Sequence, residues 1–384
     1  MQKNSKGTVT NVISNSARNG LIPQKDYFDK DIANVENTAG YYIISKNDFV
    51  YNPRKSTDAP YGPISRYTYD KDGIVSPLYL CFHGNNDVNP EYFERFFKSS
   101  VWHRYIYMSG DSGARHDRVS IKDETFFEMP IHLPSDEEQK KIAAFLSLIE
   151  KKIEYQFALV ENLKKYKRGV SKSFFDEIHN DQTCTVKEFS EVFELLQNNT
   201  FSRECLTNEN TEVLNVHYGD ILVKYGSVVD PDIDVVPFIK SGTDVSKFSD
   251  SSYLQDGDVI FADTAEDYTV GKLCEIINVS NRKILSGLHT MPFRPTITFA
   301  PMFLGYYLNS AAFRSQILPM IQGAKVSSIS KSEMKKTIIY IPSIDRQIEI
   351  VRILNALDKR IKRTELILDE LKEMKKGLLQ NLFI

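Results

Sequence analysis

The sequence predicts an α+β protein built twice over: two blocks of mixed short strands and helices, each followed by one long helix. Three observations carry this. Pro134-Ser135-Asp136-Glu137-Glu138-Gln139 recurs as Pro342-Ser343-Ile344-Asp345-Arg346-Gln347, and a shift of 208 positions lays the two stretches over each other without a gap, to Phe175 and Phe383. Both stretches carry apolar residues in heptads. The blocks before them share short apolar runs punctuated by Gly, Pro, Asn and Asp.

Each repeat opens on a helix start signal. Proline closes the incoming extended segment, serine can cap orphan amides, and carboxylates favour the positive end of the helix. The a positions of the first copy are Ile142, Ile149, Gln156, Leu163 and Val170, and the d positions Leu146, Ile153, Val160, Lys167 and Phe174. In the second copy Ile350, Leu357, Thr364, Leu371 and Leu378 alternate with Leu354, Ile361, Leu368, Lys375 and Leu382. Both seams are polar at the same two places, as expected of helices that wrap each other in a chosen register. At ~1.5 Å per residue, about 40 residues make a rod of roughly 60 Å. Gln156 and Thr364 sit midway, where parallel and antiparallel pairing would both oppose them, so orientation stays open at this point. The competing reading is a solvent-facing amphipathic helix on its own domain.

The 384 residues can hold two sizeable domains plus the helices, with ordinary hydrophobic (41%) and charged (26%) content. Met1-Gln2-Lys3-Asn4 starts no signal peptide and no apolar run has spanning length, so neither export nor a membrane partner is expected. Cys81, Cys184, Cys205 and Cys274 form no C-x-x-C pair and suit reduced thiols of a cytoplasmic protein. A net charge of -3 argues mildly against a protein whose whole surface grips nucleic acid, while leaving local basic clefts open.

Residues 1–133 form the first block, 134–180 the first helix, 181–341 the second block and 342–384 the second helix. The repeat continues into the blocks. Asp48-Phe49-Val50-Tyr51 parallels Asp258-Val259-Ile260-Phe261, and Gly73-Ile74-Val75-Ser76 parallels Lys283-Ile284-Leu285-Ser286. Pro90 with its following aromatics parallels Pro301, Gly113-Ala114-Arg115 parallels Gly323-Ala324-Lys325, and Ser120-Ile121 parallels Ser328-Ile329. If Asn11-Val12 matches Asn215-Val216, the first block lacks about twenty residues that the second has. Conserved anchors with divergent loops suit two similar readers of two different things.

Catalytic motifs are missing from the pattern. Gly110-Asp111-Ser112-Gly113 looks like a protease nucleophile segment, but no matching His-bearing stretch stands upstream and the second block has no serine there. No P-loop, G-x-G-x-x-G, Asn/Asp-Pro-Pro-aromatic tetrapeptide or H-E-x-x-H occurs, and isolated histidines such as His83 and His289 read as structural. Asp230-Pro231-Asp232 reads as an exposed turn. What remains are clusters of basic, amide and aromatic residues flanking the strands. In the first block these are Asn52, Arg54, Lys55, Tyr61, Arg66, Arg115, His116 and Arg118. In the second they are Arg203, Thr264, Tyr268, Lys272, Lys325, Ser327 and Ser328. Such side chains meet phosphates and base edges.

Pro-Ser-x-x-Glu/Arg-Gln leading into a long helix, given twice and each time after a variable block, resembles the specificity subunit of type I restriction–modification systems. Ile338-Ile339-Tyr340-Ile341-Pro342 also looks like that family's approach to its second helix. The resemblance implies that the blocks are target recognition domains, each reading one half of a split double-stranded DNA sequence. It implies that the helices pack as an antiparallel coiled coil, set the spacer between half-sites and dock two methyltransferase subunits. A restriction motor-nuclease subunit would join the full complex. S-adenosylmethionine, ATP and magnesium would belong to those partners, with no cofactor or metal in this chain and no catalysis by it. Arg346, where the first copy has Glu138, departs from the pattern and is expected to weaken one cap. A coiled-coil scaffold binding proteins, or a metal-dependent nuclease, are the rival classes.

Overall fold

The computed structural model describes residues 1–27, 35–110, 117–323 and 326–383. The chain divides into two compact units, Met1–Ala158 with Glu365–Ile384, and Leu159–Thr364. Each is α+β.

In the first unit Phe49–Tyr51 is the central strand, flanked antiparallel by Ile64–Arg66 and Leu80–Phe82. The helix Pro90–Lys98 lays Tyr92, Phe93, Phe96 and Phe97 against this sheet, as their i, i+3, i+4 spacing requires. Asn89 caps it, its side chain accepting from the amides of Glu91 and Tyr92. In the second unit Val259–Ala262 is central to a five-stranded sheet, between Leu273–Ile276 and Thr290–Pro295, with Val228–Val229 and Phe193–Leu195 at the edges. A four-stranded sheet carries Val213–Val216 parallel to Lys283–Ser286.

The two central strands are entered through one and the same turn. Asp48 accepts a hydrogen bond from the Ser45 amide at 2.7 Å, and Asp258 accepts one from the Gln255 amide at 2.8 Å. Before them Asn47 and Gly257 both take the left-handed conformation, at φ 74° and 88°. The spare carboxylate capacity goes to matched positions as well: Asp48 meets His83 Nδ1 at 2.9 Å, and Asp258 binds the Arg294 guanidinium at 2.9 and 2.7 Å. The Asn11-Val12 anchor is two residues out of register: Val12 bridges Ile74 in parallel, whereas Leu214, not Val216, pairs with the matching Ile284.

The repeated stretches are the long helices Asp136–Asn180 and Ile344–Asn381. Ser135 Oγ accepts from the Glu138 amide and Ser343 Oγ from the Arg346 amide, both at 3.4 Å, so both starts are capped by serine. The glutamine of the repeat does something the capping argument did not assign. Gln139 is buried, accepts from the Asn89 amide at 2.8 Å and donates to the Asp87 and Pro134 carbonyls. Gln347, equally buried, accepts from the Ala300 amide at 2.9 Å and donates to the Pro342 carbonyl. Each glutamine therefore fastens its long helix to its own domain.

Within each unit the helix segments run antiparallel. In the first, Glu150 pairs with Lys375 at 2.7 Å while Phe383 joins Ala143 and Leu146 in the core. In the second, Lys167 pairs with Asp358 at 2.5 Å and Glu177 with Arg346 at 2.6 Å. Of the heptad positions in the first unit, Leu146, Ile149, Leu368 and Leu371 are buried, and Ile142, Ile153 and Gln156 half-buried. In the second, Val160, Leu163, Ile350, Leu354, Ile361 and Thr364 are buried and Leu357 half-buried. The polar d positions hold ion pairs, Glu150 also taking Arg95 at 2.5 Å and Asp358 also taking the Tyr306 hydroxyl at 2.9 Å. Arg346 is more than a weakened cap, because its guanidinium lies over the Phe174 ring at 5.2 Å and bonds Glu177.

Candidate nucleic-acid interface

Beyond its central strand each unit sends a loop back to meet a second loop. In the first unit Arg54 and Arg118 are antiparallel bridge partners, flanked by Lys55 N–H to Asp117 O and Val119 N–H to Pro53 O, both 2.8 Å. In the second, Thr264–Ala265 pairs antiparallel with Ser327–Ser328, Thr264 opposite Ser328, and the Ile329 amide donates to Asp263 O at 3.0 Å. The backbone thus equates Arg54 with Thr264 and Arg118 with Ser328. This shifts by two residues the sequence match that set Ser120-Ile121 on Ser328-Ile329. The difference is absorbed before the short helices Asp123–Phe127 and Lys331–Met334.

Arg54 and Lys55 are exposed and Arg118 half-buried, and among the described residues none of the three makes an ion pair. Asn52 braces this loop, its side chain accepting from the Arg54 amide at 3.1 Å and donating to Asn15 O at 3.2 Å. Gly62 closes the loop at φ 82°, and a Cβ there would lie 2.2 Å from Asn52 O. Tyr61 is half-buried against the His103 ring at 4.8 Å. Beside Arg118 a cavity of about 720 Å³ opens, with Tyr42, Tyr79 and Pro53 in its wall. Burial raises the Tyr79 hydroxyl pKa, and Arg118 and Arg54 act in the opposite sense.

Three candidate residues are engaged inside their domains. Arg66 binds Glu94 at 2.9 Å and Asn47 at 3.0 Å with its side chain 15% exposed, so it buttresses helix Pro90–Lys98 instead of facing outward. Lys272 donates to the carbonyls of Leu222 and Tyr225 at 2.9 and 3.0 Å, and burial lowers its pKa. Arg203 holds Asp220 with both terminal nitrogens, at 2.5 and 3.2 Å, while its side chain remains half exposed. Tyr268 is 81% exposed, its carbonyl held by Arg314 at 2.8 Å. Arg115, His116 and Lys325, with the Gly113-Ala114-Arg115 match and Gly110-Asp111-Ser112-Gly113, lie wholly or partly outside the described residues.

The sequence reading passed over a group around Thr264. Thr264 donates to Asp263 at 2.8 Å, and His289 Nδ1 lies 3.6 Å from the same carboxylate. His289 takes the left-handed conformation at φ 53°, half exposed, its ring 5.2 Å from that of Tyr218. The signal available was its place in the turn between Lys283–Ser286 and Thr290–Pro295, not the histidine itself. Among the described residues no three His, Cys, Asp or Glu side chains are grouped to hold a metal ion, and no helix is long and apolar enough to cross a membrane.

Fold and site together define a duplicated α+β protein whose copies present differently furnished loops on one backbone frame. The chain belongs to the type I restriction modification DNA specificity domain family, whose profile matches residues 2–165 and 182–373. It shares its fold with the HsdS subunit from Thermoanaerobacter tengcongensis, at TM-score 0.50 and 17% identity over 89% of this chain and 81% of that one. A chain from a structure of type I R-M complex assembly and conformational transition aligns at TM-score 0.57 and 14% identity, over 98% of this chain and 92% of that one. No curated protein sequence matches.

Proposed function

We propose that this chain is the non-catalytic reader of a type I restriction–modification complex, with each α+β domain recognising one half of a bipartite double-stranded DNA target. The observation that carries this is the paired-loop frame. One backbone arrangement presents Arg54 and Arg118 in one unit and Thr264 and Ser328 in the other. Arginines suit phosphate or guanine, and hydroxyls suit either partner of a base pair, so one frame with two furnishings yields two specificities. Lys55, Tyr268 and Ser327 lie on or beside the same loops and are proposed contacts, as is the half-exposed Arg203, which stands on a separate turn of the second unit. Arg66 and Lys272 keep the frame in shape.

The long helices set the distance between half-sites and dock two methyltransferase subunits. Their exposed apolar residues, among them Leu148, Tyr155 and Tyr166 on the first helix, favour that docking. S-adenosylmethionine, ATP and magnesium are used by the methyltransferase and motor-nuclease partners, in a cytoplasmic assembly. The test is DNA binding by the chain copurified with the methyltransferase encoded beside it. The reading expects affinity that falls steeply as salt rises, through release of counterions from the phosphates. A stable complex with no salt-sensitive DNA affinity would return the chain to the protein-scaffold class.

A further inference from the structure

The paired-loop frame carries a further difference between the units, one residue before Arg54 and Thr264. There the first unit has Pro53 and the second Asp263. The backbone makes the two counterparts: Pro53 O accepts from the Val119 amide at 2.8 Å, and Asp263 O from the Ile329 amide at 3.0 Å. A proline side chain offers neither donor nor acceptor, so polar contacts in the first frame fall to Arg54, Lys55 and Arg118. The second frame has a carboxylate at this position.

That carboxylate is fixed in place and left half satisfied. The Asp263 amide donates to His289 O at 3.1 Å, and Asp263 Oδ1 accepts from the Thr264 hydroxyl at 2.8 Å. His289 Nδ1 stands 3.6 Å from the same oxygen. The turn that carries His289 is itself pinned, its Gly287 amide donating to Val216 O at 2.9 Å and Thr290 Oγ1 donating to Gly287 O at 2.5 Å. Among the described residues Asp263 Oδ2 has no partner and no Lys or Arg pairs with the side chain, which is 26% exposed. Lys272, whose carbonyl accepts from the Ala262 amide next door, sends its ammonium inward to the Leu222 and Tyr225 carbonyls instead.

A carboxylate without a cation, set in a frame that meets DNA, discriminates between phosphate and base. Phosphates repel it, whereas a base edge can donate to it. Thr264 already donates its hydroxyl hydrogen to Asp263 and keeps only lone pairs, so both side chains call for a donor. In the major groove the donors are the amino groups of adenine and cytosine. Adenine sets its N7 acceptor beside the amino group, against these lone pairs, while cytosine has only C–H on that side. We propose, resting on the DNA reading above, that Asp263 is a specificity-determining residue of the second unit. Its free Oδ2 accepts from the N4 amino group of one cytosine in that unit's half-site. Thr264 and His289 are positioning residues for the carboxylate.

The test uses the chain copurified with the methyltransferase encoded beside it, as wild type and as Asp263→Asn. Asparagine keeps one oxygen for the Thr264 bond and puts an amide donor on the other arm, the pattern that suits adenine N7 and N6. Wild type is expected to require cytosine at one position in one half of its motif. In competition among oligonucleotides differing only there, Asp263→Asn should reduce the preference for cytosine about ten-fold or more, with adenine gaining. The other half should be read as before, which reports that the complex has folded and assembled. If Asp263→Asn does not assemble, Thr264→Val carries the test, and unaltered selectivity at that position overturns the assignment. A motif that survives Asp263→Asn unchanged, loses affinity equally for every sequence, or changes in both halves or at a base other than cytosine overturns it while the DNA reading stands. A wild-type complex with no salt-sensitive DNA affinity removes the DNA reading itself, and this assignment with it.

Discussion

Arg54 and Arg118 stand across an antiparallel bridge, where two like charges repel by a few tenths of a kcal/mol up to ~1 kcal/mol. An arrangement of that kind costs stability unless an anion or a base edge relieves it, as the phosphates and bases of the proposed DNA target would. Arg54→Ala or Arg118→Ala is expected to lower affinity for the first half-site and reduce the steepness of the salt dependence by about one ion each. Binding to half-site variants across a salt series checks this, and equal loss at both half-sites would contradict it. The buried glutamines make a second prediction. Gln139→Leu leaves the Asn89 amide and the Asp87 carbonyl without these bonds, which is expected to destabilise by about 1–3 kcal/mol, and Gln347→Leu by a similar amount. Denaturant titration measures both. Glu275 sets a third. Buried against the amides of Met302 and Gly305, its carboxyl is pushed up by burial from 4.5 to about 7, the amides opposing the shift. The folded state therefore holds this proton where the unfolded state has released it, and stability falls as pH rises from about 4.5 to about 7. Glu275→Gln should flatten the melting temperature across that window. At these positions the sequence was least legible. Arg66 and Lys272 look like surface cations until burial and partners are known, and His289 looks structural until its turn brings it to Asp263.

The long helices were the most legible elements, because a heptad repeated over many turns overrides local ambiguity and serine before acidic residues marks each start. Their direction was not legible, since the midpoint polar residues suit either orientation. Ion pairs decide it: Lys167 with Asp358 and Glu177 with Arg346 in one unit, and Glu150 with Lys375 in the other. Strands were legible where a turn announced them, as at Asp48 and Asp258. The paired loops behind Arg54 and Thr264 escaped at the level of register, because two- and one-residue pairings leave no period to read. The helices also carry their own prediction. Four residues inserted after Gln156 add about one turn, and the spacer between half-sites is expected to lengthen. Methylation-site sequencing of cells carrying the insertion checks it, and an unchanged spacer would count against the helices as a ruler.

The duplication was legible for the molecule as a whole, and it leads to the family whose profile covers both copies. What each copy holds was not. The same frame displays two arginines in one unit and two hydroxyls in the other, and Thr185–Leu195 closes the core of one, with no such segment among the described residues of the other. Those differences follow from loops and edges whose residues obey no repeat. The central claim is that one chain brings two unlike readers to DNA. Methylome sequencing of cells expressing this chain with its neighbouring methyltransferase tests it most directly. The account predicts a split, asymmetric methylated motif that disappears when the chain is omitted and changes in its first half alone on Arg54→Ala. A methylation pattern identical with and without the chain would contradict it.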